Sequence, residues 1–189
     1  MLLSDGEVAA FVERGYHVVT PSVAPSVHLA CCEQADRMCA APGSDGAHTM
    51  DTWRECPALA DLCRDPFVHG ALCSLLGERY RMEVHAASHY LRPGHGGQNL
   101  HQDGNWCNFG GWNRHLRRWH LVRKAICFYY PHDVVSAPSE VVPGSQYWTA
   151  MTPDLATESK AFSVPAGSFV IMVRQRFSLP LPVRFTRCL

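Results

Sequence analysis

The chain has 189 residues, and its 17 Lys and Arg residues balance its 17 Asp and Glu residues. A net charge of zero gives no overall attraction to nucleic acid or to anionic lipid, so either role would need a local patch. The hydrophobic fraction of 47% excludes a disordered chain and predicts one ordinary globular domain. The sequence has no membrane-spanning apolar run and no basic leader. We therefore expect a soluble, intracellular protein, cytoplasmic by default, with no membrane partner.

Cysteine usage indicates a reducing environment. The nine cysteines are an odd number, and no two of them form a Cys-x-x-Cys pair. Without a secretory signal, this pattern predicts free thiols that mostly fill the core. The last three residues, Arg187-Cys188-Leu189, match neither a peroxisomal signal nor a prenylation site.

The first 77 residues predict a mainly helical region with one strand. Ser4 and Glu7 have the spacing of a capping box, and Gly15 ends the helix that they begin. Residues 16–20 predict a strand that Pro21 ends.

Three more helices are expected before residue 78. Ser26 is predicted to cap a helix over residues 26–38, and Pro57 and Pro66 are predicted to open two further helices. Pro66 suits a first turn because its missing N–H would have no partner there. Gly77 is predicted to end the last helix.

Residues 78–173 change to short β-like runs separated by turn residues. These runs are residues 81–91, 98–104, 124–130, 140–142 and 168–173. Helices followed by strands predict an α+β, mostly β fold, or a barrel with a helical collar. Residues 174–189 form a divergent tail that we expect outside the sheets, since Pro180 and Pro182 cannot donate to a β-ladder.

The sharpest chemical pattern is the pair His101 and Asp103. In a strand, residues i and i+2 project from the same face, so an imidazole and a carboxylate would lie side by side. Such a pair supplies two of the three ligands of a 2-His-1-carboxylate iron site. By itself, the same pair is more often an ordinary polar pair at a strand end.

Several segments around this pair resemble the phytanoyl-CoA dioxygenase family of Fe(II)/2-oxoglutarate oxygenases, in the family's order and approximate spacing. They are Phe11-Val12-Glu13-Arg14-Gly15-Tyr16-His17-Val18-Val19, Asp65-Pro66-Phe67, Leu75-Leu76-Gly77, Leu91-Arg92-Pro93-Gly94, Leu100-His101-Gln102-Asp103-Gly104, Val141-Val142-Pro143-Gly144-Ser145-Gln146-Tyr147-Trp148 and Val164-Pro165-Ala166-Gly167-Ser168-Phe169-Val170-Ile171.

The resemblance implies one domain over residues 1–189, built as a double-stranded β-helix, which is a jelly-roll or cupin-like barrel. Residues 1–77 would form the collar, residues 78–173 the barrel core and residues 174–189 the tail. His101 and Asp103 would bind Fe(II), 2-oxoglutarate would be the co-substrate, and ascorbate would keep the iron reduced. The reaction implied is hydroxylation of a small organic molecule.

The resemblance also implies the surroundings of the iron. Ser88 and Gln98 would contact the cofactor, and Trp106, Trp112 and Arg117 would belong to a loop that contacts the substrate.

The family's distal histidine has no counterpart in this chain. It would lie near Phe177 or Ser178, whereas the last histidine of the chain is His132. The arginine that the family uses for 2-oxoglutarate also lacks a match, because Arg184 and Arg187 lie in the divergent tail. An incomplete iron site is therefore expected, as in an altered or truncated form, with His85 or His89 as a surrogate ligand in a less favoured reading.

Two other functional classes stay open from the sequence. One is a non-catalytic barrel that binds a metal or a small ligand, which includes an inactive truncated isoform. The other, less favoured, is an RNA-binding module based on residues 106–124, where three tryptophans alternate with four arginines. A solvated loop over the barrel mouth explains the same segment more simply.

Overall fold

The computed structural model describes residues 1–40, 52–82, 122, 124–134, 138–147 and 158–173. Its helices are α1 (Asp5–Arg14), α2 (Pro25–Ala40), α3 (Thr52–Glu55), α4 (Ala58–Arg64) and α5 (Pro66–Leu76). Its strands are β1 (Tyr16–Val19), β2 (Ala125–Tyr130), β3 (Glu140–Val141), β4 (Lys160–Ala161) and β5 (Ser168–Val173), and a 3₁₀ turn covers Ser145–Tyr147. None of the described helices is long and apolar enough to cross a membrane.

Helix α1 begins and ends where the sequence predicts. The Ser4 hydroxyl accepts a hydrogen bond from the Glu7 N–H, and the Glu7 carboxylate accepts one from the Ser4 N–H at 2.8 Å. The bonds from the Ser4 backbone and side chain hold the pKa of Glu7 below its ordinary value. Gly15 ends the helix with a φ of +83°, a left-handed conformation that glycine adopts at low cost.

Helix α2 corrects one prediction and helix α3 was not predicted. Helix α2 starts at Pro25, so Ser26 lies within the first turn and is not the residue that caps it. A proline at the first helical position loses no hydrogen bond, and this explains the earlier start. Helix α3 has only four residues, too few for a hydrophobic period to reveal it.

Helices α4 and α5 confirm the predicted proline boundaries. Pro57 directly precedes α4, and Pro66 is the first residue of α5. The Asp65 carboxylate caps α5 by accepting hydrogen bonds from the N–H groups of Phe67 and Val68. The Gly77 N–H donates to the Cys73 carbonyl and ends the helix.

The larger sheet has three antiparallel strands in the order β1-β5-β2. Tyr16 pairs with Met172, and Ala125 pairs with Val173, so β5 lies between two strands that are distant in sequence. Strands β3 and β4 form a second, two-stranded antiparallel sheet.

Four of the predicted strands are confirmed within one residue, at 16–20, 124–130, 140–142 and 168–173. Strand β4 was not predicted, since its two residues are too few to show alternation. The predicted strands at 81–91 and 98–104 lie outside the described residues, apart from Arg81 and Met82, which are not in a strand. The tail at 174–189 also lies outside them.

Each face of the larger sheet is covered by a different layer. On one face, side chains of the sheet pack against α1, α4 and α5 in a core of Phe11, Val19, Leu62, Val68, Ala71, Leu72, Phe169 and Ile171. On the other face, they pack against the smaller sheet and its flanking segments through Tyr130, Val134, Val141, Phe162, Val164 and Val170. The fold is therefore mixed helix and sheet, as predicted, and the described strands form two small sheets without closing a barrel.

Two glycines give a matched test of how the N-terminal segment packs. A Cβ at Gly70 would overlap the Met1 carbonyl, whereas a Cβ at Gly6 would meet open space. We expect Gly70→Ala to lower the free energy of unfolding by about 1–3 kcal/mol through this overlap. Gly6→Ala should raise it by up to about 1 kcal/mol, because alanine favours the helix. Urea denaturation measures both, and equal effects of the two substitutions would contradict the packing.

Candidate functional site

The residues assigned to iron, cofactor and substrate from the sequence all lie outside the described residues. They are His101, Asp103, Ser88, Gln98, Trp106, Trp112 and Arg117, together with the surrogate histidines His85 and His89. The structure describes the core between the two sheets and the helical layer on the opposite face of the larger sheet.

The space between the sheets is lined by aromatic and aliphatic side chains. Tyr16 and Phe162 meet edge to face with ring centroids 4.7 Å apart, and Phe128 and Met172 pack against the same cluster. Such contacts exclude water. In this cluster, the titratable side chains are the tyrosines Tyr16 and Tyr130, and the other members are aliphatic, phenylalanine or methionine side chains.

Hydroxyl groups lie at one end of this interior. The Tyr130 hydroxyl donates to Ser139 Oγ at 2.9 Å, and Ser168 lies opposite Tyr130 in the strand register. Ser139 and Ser168 are both buried. Burial raises the pKa of Tyr130, so its hydroxyl stays protonated and acts as a hydrogen-bond donor at neutral pH.

The segment Val142–Pro143–Gly144–Ser145 is a tight turn, as predicted. The Ser145 N–H donates to the Val142 carbonyl at 3.2 Å, and Gly144 has a φ of +79°. Proline followed by a glycine with positive φ is the pattern of a type II turn.

This turn and the residues after it hold the end of α1. The Gly144 N–H donates to the Arg14 carbonyl at 3.1 Å, and Gln146 Nε2 donates to the Val12 carbonyl at 2.9 Å. The Tyr147 hydroxyl donates to the same Val12 carbonyl at 2.6 Å. The last carbonyls of a helix have no partners within the helix. These bonds satisfy them and attach the end of α1 to the segment that follows β3. Within the part of the chain that the structure describes, residues 142–147 therefore have a structural role.

On the helical side, a chain of polar contacts joins α2 to β2. His28 Nδ1 lies 2.6 Å from the Tyr129 hydroxyl, and His28 Nε2 lies 3.5 Å from Cys32 Sγ. The Cys32 thiol donates to the Pro131 carbonyl at 3.2 Å. Burial raises the pKa of both Tyr129 and Cys32, so both groups stay protonated at neutral pH. The cluster therefore lacks an activated nucleophile.

A pocket of about 360 Å³ opens beside α4 and α5. Trp53, Cys63, His69, Tyr80 and Met82 are among the residues that line it. His69 Nδ1 lies 2.8 Å from the Tyr80 hydroxyl, and burial raises the pKa of Cys63 to about 11. The lining is aromatic and sulfur-rich, and it suits a small apolar group better than acid–base chemistry.

His132, the last histidine of the chain, is bound to the helical layer. Its Nε2 lies 3.1 Å from Asp36 Oδ1 of α2, next to the end of β2. An imidazole held by α2 in this way is a poor candidate for the missing iron ligand.

The described residues do not contain a metal site of their own. Within them, no three His, Cys, Asp or Glu side chains come together in a way that could hold a metal ion. The predicted iron site therefore depends on His101 and Asp103, which lie outside the described residues, and their fit to iron stays a prediction.

Sequence reasoning did not find the clusters at His28 and at His69. In the first cluster, the contact between His28 and Tyr129 joins residues 101 positions apart, which no local pattern predicts. In each cluster, a histidine and a cysteine four residues apart were the local signal that could have been noticed. No protein-family model matches this chain, and a search of curated proteins found no match. The family resemblance consequently rests on the motifs in the sequence.

Proposed function

We propose that the chain is a phytanoyl-CoA dioxygenase-like protein that binds Fe(II) through His101 and Asp103 in a double-stranded β-helix, with a site that is incomplete for turnover. The observation that carries the proposal is the nested pairing of four strands that follow one another among the described residues. Strand β2 pairs with β5, and β3 pairs with β4. The two pairs belong to different sheets, and side chains of β2, β3 and β5 meet in one core with Phe162, which directly follows β4.

Nested pairing is what a jelly roll requires. In that architecture, a long hairpin folds over itself, so that outer strands pair in one sheet and inner strands pair in the facing sheet. The predicted strand at 98–104 precedes β2 in the chain and would add the next strand of such a barrel. His101 and Asp103 would then face the space between the sheets, since residues two apart share one face of a strand.

The interior of the two sheets suits an oxygenase in one further respect. Iron and 2-oxoglutarate, when bound, supply the oxidative chemistry, and the protein supplies orientation and a dry surrounding. Tyr16, Phe128 and Phe162 provide an apolar wall in the described part of the interior. A small organic substrate with an apolar surface is the class that this wall favours.

The incomplete site follows from the sequence. A facial triad needs three protein ligands, and the chain has no histidine after His132. His101 and Asp103 would hold the metal with two ligands, so affinity and geometric control would both be lower than in a complete site. The alternative of a non-catalytic barrel that binds a metal makes the same prediction for iron binding.

Ferrous titration tests the proposed ligands. We expect His101→Ala and Asp103→Ala each to abolish the binding of Fe(II) to the purified full-length chain, measured anaerobically by calorimetry, because a single remaining ligand cannot retain the ion. His132→Ala is the matched control and should bind Fe(II) as the wild type does, since His132 contacts Asp36 of α2. Equal losses in all three variants would contradict the assignment.

A further inference from the structure

Two buried sulfur atoms face each other in the helical layer. Cys56 Sγ lies 3.8 Å from Cys31 Sγ, and the two residues are 4% and 5% exposed. Cys31 belongs to α2, and Cys56 lies between α3 and α4. The residues are 25 positions apart in the chain, so the contact depends on tertiary packing and not on local spacing.

We propose that Cys31 and Cys56 are a dithiol pair that a peroxide converts into a disulfide, which ties α2 to the start of α4. A disulfide has an S–S distance of about 2.05 Å, so the two sulfurs must approach by a little under 2 Å. The proposal requires rotation of the two side chains to supply this movement.

The reaction balances with hydrogen peroxide as the oxidant. The thiolate of one cysteine attacks peroxide, which breaks the O–O bond and leaves a sulfenic acid and hydroxide. The second thiol then attacks the sulfenic sulfur and displaces water, and the proton of the first thiol neutralises the hydroxide. In total, two thiols and one peroxide give one disulfide and two waters, with both sulfurs oxidised and the peroxide reduced.

The surroundings of the pair set the rate of this reaction. Burial, followed by the neighbouring Cys56 thiol, raises the pKa of Cys31 to about 12. The thiolate is the reactive form, so attack of Cys31 on peroxide should be slow at neutral pH. Its rate should rise about tenfold for each pH unit and continue to rise above pH 9, whereas unfolded thiols, with a pKa of about 8.5, would level off.

Closing the disulfide should stabilise the fold. It would form a loop of 25 residues and reduce the entropy of the unfolded chain. For a chain of this length, we expect the oxidised protein to melt about 5–15 °C above the reduced protein.

Peptide mapping of the peroxide-treated native chain tests the proposal. After alkylation in denaturant, trypsin leaves Cys31 and Cys32 on the peptide 15–37, and Cys56 and Cys63 on the peptide 55–64. Fragmentation of the linked peptides assigns the two joined sulfurs in the wild type. Each peptide contains two cysteines in the wild type, so a link between the peptides could join either of them. The double variant Cys32→Ser/Cys63→Ser retains only Cys31 and Cys56 in these peptides, so a link in this variant must join those two.

We expect the two peptides to be linked in the wild type and in the double variant, and the link to be absent in Cys56→Ser. The melting shift should appear only in samples that contain the link. A link that joins Cys32 or Cys63, a link that forms only in denaturant, or peptides that stay unlinked after peroxide treatment would each overturn the proposal. The wild-type map decides the outcome even if a variant fails to fold.

Discussion

Asp65→Ala should lower the free energy of unfolding by about 3–5 kcal/mol. The Asp65 side chain is buried, and its carboxylate accepts four hydrogen bonds. Oδ2 accepts from the N–H and hydroxyl of Ser22 at 2.8 and 2.9 Å, and Oδ1 accepts from the N–H groups of Phe67 and Val68 at 2.9 and 3.1 Å. Alanine would remove a helix cap, worth about 1 kcal/mol, and leave the buried Val68 N–H without a partner at about 1–3 kcal/mol. It would also remove the partly buried bonds from Ser22 to a charged acceptor.

The same carboxylate connects the segment after β1 to the start of α5, so its loss should also loosen the contact between β1 and the helices. Asp61→Ala is the matched control. Asp61 is exposed, and its ion pair with Arg64 at 3.3 Å lies at the surface, where such pairs contribute about 0–1 kcal/mol. Chemical denaturation measures both variants. The account would be wrong if Asp65→Ala cost no more than Asp61→Ala.

Phe11→Ala should have a comparable effect, about 3–5 kcal/mol. The Phe11 side chain is fully buried and packs in one core with Val19, Phe169 and Ile171. Removing it loses the transfer free energy of the ring and leaves a cavity between α1 and the larger sheet. Because α1 carries the carbonyls that the turn at 142–147 binds, the loss should be felt at both sheets.

Val12→Ala provides the comparison on the next residue of the same helix. The Val12 side chain is 41% exposed, and its hydrogen-bonded carbonyl would remain. We expect a change below about 1 kcal/mol, since little apolar surface is lost and alanine favours the helix. Guanidinium denaturation measures the free energy of unfolding of both variants. The comparison requires that its slope against guanidinium concentration is the same for both. Similar losses for both would show that Phe11 is not a core residue.

The sequence predicted the elements that short-range chemistry determines. The capping box at Ser4 and Glu7, the glycine stops and the proline starts depend on contacts within a few residues, and the structure confirms them. The start of α2 was placed too late because Ser26 looked like a cap, whereas Pro25 can itself occupy the first turn.

Long-range pairing was beyond the sequence. The pairing of β1 with β5 joins residues 16–19 to residues 169–172, and no local pattern specifies which strands become neighbours. The contact between Cys31 and Cys56 depends on how α2 packs against α3 and α4, and the same holds for His28 and Tyr129. The pair His101 and Asp103 was recognisable because two residues on one strand face are a local pattern, and their shared site stays a prediction.

Succinate release from 2-oxoglutarate by the unmodified full-length chain, with iron and ascorbate, tests the central claim most directly. We expect release at background level, although Fe(II) binding still depends on His101 and Asp103. The reason is that two protein ligands leave the remaining iron positions exchangeable, with no fixed geometry for oxygen. Robust succinate release that disappears in His85→Ala or His89→Ala would contradict the incomplete site and would show that the chain completes its iron ligands from another strand.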